Sequence, residues 1–194
     1  MSRNALIFEK TALRPAAPSQ PWTATPTGDY AELIHLAFRD RSALAVINIG
    51  PGPRAGTACA GIARELAASG RRTVIVQVKR LAKADRMPAV ANCVPGEYPN
   101  VWLWPATPDG SVEFFHRPIA PATESEWLGE LRRKFDAVLL DCSGTEGAGA
   151  AEFAVKADAA VLVVEAGRTT KQQIQREQRG LNVAGVNLVG CVLI

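Results

Sequence analysis

The sequence has no apolar run approaching the ~20 residues that a membrane span needs. Its N-terminal apolar stretch, Ala5-Leu-Ile-Phe8, is too short for the core of a signal peptide. It also has no dense basic block. Lys plus Arg total 22 against 19 Asp plus Glu, a formal charge of +3, which gives no electrostatic case for nucleic acid or a membrane surface, and direct membrane insertion is not expected. Short clusters such as Arg71-Arg72 and Arg132-Arg133-Lys134 read as solvated helix ends. The four cysteines, Cys59, Cys93, Cys142 and Cys191, include no CxxC pair and stand near no histidine cluster. Neither a zinc site nor a redox motif is suggested, and two of the cysteines lie in apolar strings as reduced core residues. Histidine occurs only at His35 and His116, alone each time, where surface or capping roles outweigh general-base chemistry. The remaining composition, 47% hydrophobic, 21% charged and 6% aromatic over 194 residues, is that of one soluble globular domain, expected in the cytoplasm.

Residues 1–28 carry Pro15, Pro18, Pro21 and Pro26 among Ala, Ser and Thr. Such a stretch neither propagates a helix nor builds a ladder, and it reads as a flexible or extended Pro-rich arm. The globular domain is placed at 29–194. Leu33, Leu36 and Ala37 recur at helical spacing near Tyr30. Ala43–Ile49 is a continuous apolar run of strand length, the pattern of a strand covered on both faces. Gly50-Pro-Gly-Pro-Arg-Ala-Gly56 is a turn by composition. An Ala-rich helix then runs from Thr57 to Ser69 and stops at Gly70. Further strands are read at 73–78, 101–104, 135–141, 159–164 and 188–194. Helices are read near 124–134 and from Thr170 to about Arg179, and 81–99 reads as irregular. Alternating strands and helices imply right-handed crossovers and a mostly parallel, doubly wound α/β sheet with helices on both faces, a three-layer sandwich.

A strand, a Gly-rich turn and a helix in that order can cradle a phosphate, because backbone N–H groups face the loop and the helix N-terminus favours an anion. A later apolar strand ending in Asp141 is where such folds organise Mg²⁺ and its waters. Trp102 and Trp104 alternate with Leu103 and so point to one face, either as core or as an exposed interaction surface. Thr169 and Thr170 read as caps that start the following helix.

Several segments resemble the P-loop domain of bacterial tyrosine kinases of polysaccharide export, and through it the MinD/ParA-type ATPases. Gly50-Pro-Gly-Pro-Arg-Ala-Gly-Thr-Ala-Cys-Ala-Gly-Ile-Ala-Arg-Glu-Leu-Ala67 looks like the nucleotide loop and its helix. Val101-Trp-Leu-Trp-Pro-Ala106 resembles a family strand and loop, and Phe135-Asp-Ala-Val-Leu-Leu-Asp141 is similar to the Walker B strand. Ala157-Asp-Ala-Ala-Val-Leu-Val-Val-Glu-Ala-Gly-Arg-Thr-Thr-Lys171 resembles a stretch that follows it. The resemblance covers roughly residues 30–194 in order, and it implies a P-loop NTPase-like fold.

The departures fall on the working residues. The family loop carries a lysine on the β/γ-phosphates and then a Ser or Thr on Mg²⁺. A gap-free placement sets Ala55 at the lysine and Gly56 at the hydroxyl; a slide of two residues sets Gly56 at the last loop glycine and Thr57 at the lysine. Arg54 is the loop's one cation, and a guanidinium does not substitute freely for an ammonium. The family's Asp-x-Asp is replaced by Gln77 and Lys79, and Asp141 is followed by Cys142-Ser143. Tyrosines for self-phosphorylation are reduced to Tyr30 and Tyr98. Arginines that serve family subunit contacts are absent from Asp29-Tyr-Ala-Glu-Leu-Ile-His-Leu36, although the resemblance still allows a homo-oligomer.

A hydrogen bond to a charged group contributes about 1.5–3 kcal/mol, so losing two weakens nucleotide binding by roughly 10²–10⁴. The resemblance therefore implies a degenerate, non-catalytic or weakly nucleotide-binding module, a regulatory or scaffold component of exopolysaccharide or capsule biosynthesis. The expected partner is the cytoplasmic tail of a membrane polysaccharide-export protein, which would make the chain cytoplasmic or peripheral at the inner membrane. The alternative is an active protein-tyrosine kinase or ATPase with an atypical loop. In that case ATP and Mg²⁺ would be held by Gly50, Gly52, Arg54, Ala55, Gly56 and Thr57, with Thr57 and Asp141 toward the metal and Asp141 catalytic.

Overall fold

Continuous apolar runs become strands buried on both faces, because each must be shielded by a helical layer above and below. The computed structural model describes residues 4–7, 30–40, 42–50, 54–78, 93–104, 126–145 and 148–194. In chain order these form β1 (Asn4–Ile7), α1 (Ala31–Ala37), β2 (Ala43–Asn48), α2 (Arg54–Ala68) and β3 (Thr73–Gln77). There follow β4 (Val94–Pro95), β5 (Val101–Trp104), α3 (Glu126–Lys134), β6 (Ala137–Asp141) and α4 (Ala148–Ala154). The last three elements are β7 (Ala159–Val164), α5 (Lys171–Val183) and β8 (Leu188–Leu193).

The eight strands make one sheet in the order β1-β8-β7-β2-β6-β3-β5-β4. The six inner strands, from β8 to β5, are all parallel. The two outer ones, β1 and β4, pair antiparallel with β8 and β5. The pairings Val46↔Asp141, Gln77↔Asp141 and Asn48↔Val163 bring the C-terminal ends of β2, β3, β6 and β7 to one rim.

Alternation along each strand divides the core. Ala43, Ala45 and Ile47 of β2 share a cluster with Trp127 and Leu131 of α3, Phe153 of α4 and Leu181 of α5. Leu44 and Val46 pack instead with Leu33 of α1 and the Ala58, Ile62 and Leu66 stripe of α2. That stripe recurs every four residues, close to the helical period, and each of its large side chains contributes about 1.5–3 kcal/mol by leaving water. Gly70, at φ +84°, ends α2 in a conformation that only glycine adopts without strain.

The observed elements differ from expectation at particular places. Helix α2 starts at Arg54 rather than Thr57, because Ala55 is already fully buried against the sheet. Within the segment read as an arm, Asn4–Ile7 is a strand whose backbone completes the ladder of β8; the rest of 1–28 lies outside the described residues. Val94–Pro95 forms a short edge strand in a stretch read as irregular. Helix α4 is announced by no sequence pattern, and it forms where Ala150, Phe153 and Ala154 join the core beside β2. Of the Trp102/Trp104 pair, Trp104 belongs to the core and Trp102 packs against it. Trp104 is wholly buried and stacks on Trp127 at 5.5 Å and 21°, while half-buried Trp102 packs on Phe135 at 5.4 Å. Trp104 is thereby removed as a docking face, while Trp102 keeps part of its surface exposed. Among the described residues, no helix is long and apolar enough to cross a membrane.

Candidate functional site

The rim at the C-terminal ends of β2, β3 and β6 is where α2 begins, so the loop-and-carboxylate pattern of the sequence converges there. Gly50 follows β2 with φ +91°, a left-handed turn position suited to glycine. Gly52 lies outside the described residues, as does Lys79. Arg54, Ala55, Gly56 and Thr57 form the first turn of α2. Ala55 is buried and Thr57 is exposed.

Position 56 is the one that abuts Asp141. A Cβ placed on Gly56 would lie 3.1 Å from Asp141 Oδ2 and 3.6 Å from Ser143 Oγ, so glycine is what allows α2 to approach the carboxylate so closely. The gap-free placement sets Gly56 at the hydroxyl position. The hydroxyl beside Asp141 comes instead from Ser143, two residues beyond the strand end. The Gly56 amide donates to Ser143 Oγ at 2.8 Å, and the Ser143 amide donates to Asp141 Oδ1 at 2.9 Å. Helix start, serine and carboxylate therefore bond one another. Thr145 Oγ1 closes the same turn by donating to the Cys142 carbonyl at 2.7 Å.

The loop's cation is turned elsewhere. Arg54 Nη2 donates to Glu165 Oε1 at 3.2 Å, and Arg168 Nε approaches the same oxygen at 3.4 Å. Glu165 is held in turn by its amide donating to Thr169 Oγ1 at 3.1 Å. Thr170 caps α5 through a reciprocal capping box with Gln173. Gln77 stands beside Asp141 in register, and its Oε1 is buried with no hydrogen-bond partner among the described residues. Beneath the rim, burial pushes the Cys59 thiol well up, helped by the nearby Asp141 charge, and pushes Cys142 up to about 12 by the same two causes. Both are inert core thiols at neutral pH.

The first turn of α2 carries no lysine, the Gly56 amide is bonded to Ser143, and Arg54 pairs with Glu165, which it shares with Arg168. Asp141, the carboxylate beside Gly56, accepts a backbone bond. Ser143 and Glu165 are not singled out by sequence reasoning. Ser143 has a local signal, a small hydroxyl in the turn after a strand-ending Asp; the reach of Glu165 to Arg54, from the end of β7 to the start of α2, has none.

A mostly parallel sheet with a Gly-containing turn between its central strand and the next helix, and a carboxylate at the neighbouring strand end, is shared by doubly wound folds that include the P-loop NTPases. Comparison with solved structures agrees. The VpsO kinase domain matches with TM-score 0.62 and 18% identity over 84% of this chain and 90% of that one. The BceF tyrosine kinase domain matches with TM-score 0.65 and 19% identity, over 84% and 73% respectively. The septum site-determining protein MinD from Pyrococcus horikoshii, complexed with Mg-ADP, matches with TM-score 0.55 and 18% identity over 77% and 68%. The chain thus has the fold shared by bacterial tyrosine kinase domains and MinD-type ATPases. No family model and no curated protein sequence matches it.

Proposed function

We propose that the chain is a non-catalytic P-loop kinase-like module that works by contact, as a regulatory or scaffold component of exopolysaccharide or capsule biosynthesis. The observation that carries this reading is the bond from the Gly56 amide to Ser143 Oγ, which occupies the first-turn donor that a phosphate would require. Alanine at position 55 and the Arg54–Glu165 pair support it from the side of charge. The pathway and the partner, the cytoplasmic tail of a membrane polysaccharide-export protein that would hold the chain at the inner membrane, follow from the resemblance to kinases of polysaccharide export.

Calorimetric titration with ATP and Mg²⁺, paired with an ATPase and autokinase assay, tests the reading. The expected result is no turnover above background and affinity weakened by roughly 10²–10⁴ relative to an intact loop. Turnover that disappears in Asp141→Ala would overturn it, since that pattern requires a working metal site at the rim.

A further inference from the structure

At the opposite end of the sheet, helix α1 and the C-terminal end of α2 leave a cavity of about 440 Å³ between them. The fifteen residues of α2 span about 22 Å at 1.5 Å each, which separates this cavity from the Asp141 rim. Its floor is apolar, with Phe38 buried and Ile34 half-buried. Its rim carries two guanidiniums, Arg39 just after α1 and Arg71 before β3, and His35 stands exposed on α1. Glu65 is the one carboxylate in the lining, and Arg64 already approaches it at 3.6 Å. Neither the Arg39 nor the Arg71 side chain makes a hydrogen bond or ion pair with another described residue. Asp136, whose charge Arg71 feels at longer range, is held by Arg72 through both carboxylate oxygens.

Two guanidiniums with donors to spare beside an apolar floor match a carboxylate carried next to a hydrophobic side chain. The guanidinium fork offers parallel donors to a carboxylate, and the floor removes an apolar anchor from water. The rim residues His35 and Arg39 are exposed, so the cavity is a groove open to solvent rather than a chamber. A small-molecule site encloses most of its ligand, whereas an open groove suits a chain that seats one side chain and passes on. We propose that this α1–α2 groove binds an acidic peptide segment of a protein partner, with an apolar side chain on Ile34 and flanking carboxylates on Arg39 and Arg71. Such binding is independent of whether the Asp141 rim takes a nucleotide.

The test is selection of random displayed peptides on the full chain, with counter-selection on the Arg39→Glu/Arg71→Glu variant after circular dichroism confirms its fold. Selected sequences should carry Asp or Glu beside Leu or Phe. The synthetic peptides should lose about tenfold or more in affinity on either single charge reversal. Asp141→Ala should leave their binding unchanged, which separates failure of this proposal from failure of the nucleotide reading. If the double variant does not fold, Arg39→Gln and amide chemical-shift mapping of the wild-type chain replace it, with shifts expected in α1 and around Arg71. The proposal is overturned by selected peptides without acidic enrichment, by no enrichment of any peptide, by undiminished binding to the variants, or by shifts at the Asp141 rim. Equal perturbation of the groove by inorganic phosphate or free glutamate would also overturn it in favour of a small-anion site.

Discussion

Gly61 lies under the ring of Tyr30, and a Cβ there would come within 2.5 Å of Tyr30 Cε2. Alanine is normally better than glycine inside a helix by roughly 0.5–1 kcal/mol, but overpacking a filled site costs about 1–3 kcal/mol. The clash outweighs propensity because Tyr30 is almost fully buried and cannot swing out. Gly61→Ala is therefore expected to destabilise by about 1 kcal/mol, lowering Tm by roughly 2–4 °C. Thermal unfolding checks this, and a Tm above wild type would show that the ring yields. Tyr30→Phe should be neutral or slightly stabilising, since the Tyr30 hydroxyl is buried without a partner among the described residues.

The buried thiols make a second prediction at the same scale. With its folded value raised to about 12, Cys142 keeps its proton in the native state long after an unfolded thiol, at about 8.5, has released it. The unfolded chain then binds fewer protons, so stability is fully present below about pH 8.5 and falls as pH rises toward 12, by up to ~1.4 kcal/mol per pH unit for this thiol. Urea midpoints measured at pH 8, 9 and 10 should decline, and Cys142→Ala should lessen the decline, leaving the share of the Cys59 thiol, which burial also pushes up. An unchanged slope in that variant would assign the alkaline loss to other groups.

Among the elements, the start of the sheet depends on one carboxylate. Asp158 Oδ2 accepts from the amides of Ser42 and Ala43 at 3.0 and 2.9 Å, while its Oδ1 accepts from Arg132 Nη2 at 2.7 Å. It thereby fixes β2, β7 and α3 together. Asp158→Ala should destabilise by about 2–4 kcal/mol, because it strands two backbone donors and a half-buried guanidinium. Chemical denaturation measures it, and a loss under about 0.5 kcal/mol would mean that water replaces all three bonds.

The inner strands are legible in the sequence because uninterrupted apolar runs such as Ala159–Val164 have few places to go except between two helical layers. The start of α2 is not legible. Gly50–Gly56 has the composition of a turn, yet burial of Ala55 and the bond from Gly56 to Ser143 draw the helix forward to Arg54. Helix α4 carries no strong periodicity, and β1 is a strand only because β8 offers it an edge. At the site, the loop position and Asp141 are legible as local patterns. The pairing of Arg54 with Glu165 and of Gly56 with Ser143 joins residues 111 and 87 positions apart, which no local pattern encodes.

For the whole molecule, the antiparallel outer strands decide whether the sheet can grow. β1 covers the backbone of β8 from Gly190 to Leu193, and β4 covers part of β5. An uncovered parallel edge is a template for further pairing. Removing residues 1–7 is expected to leave the far-ultraviolet spectrum nearly unchanged but to increase self-association. Size-exclusion chromatography with light scattering reads this directly, and a variant that stays as dispersed as the parent would show that β1 does not guard that edge.

The strand order carries a consequence for synthesis. β2 is made early, yet both of its neighbours, β6 and β7, belong to the second half of the chain, and β1 waits for β8. Loops of that span close slowly, and the apolar strand between them has no companion until they arrive. On the ribosome, β2 and α2 will therefore emerge as a sticky, half-made layer. The nascent chain should be a strong client for chaperones until β7 clears the exit tunnel.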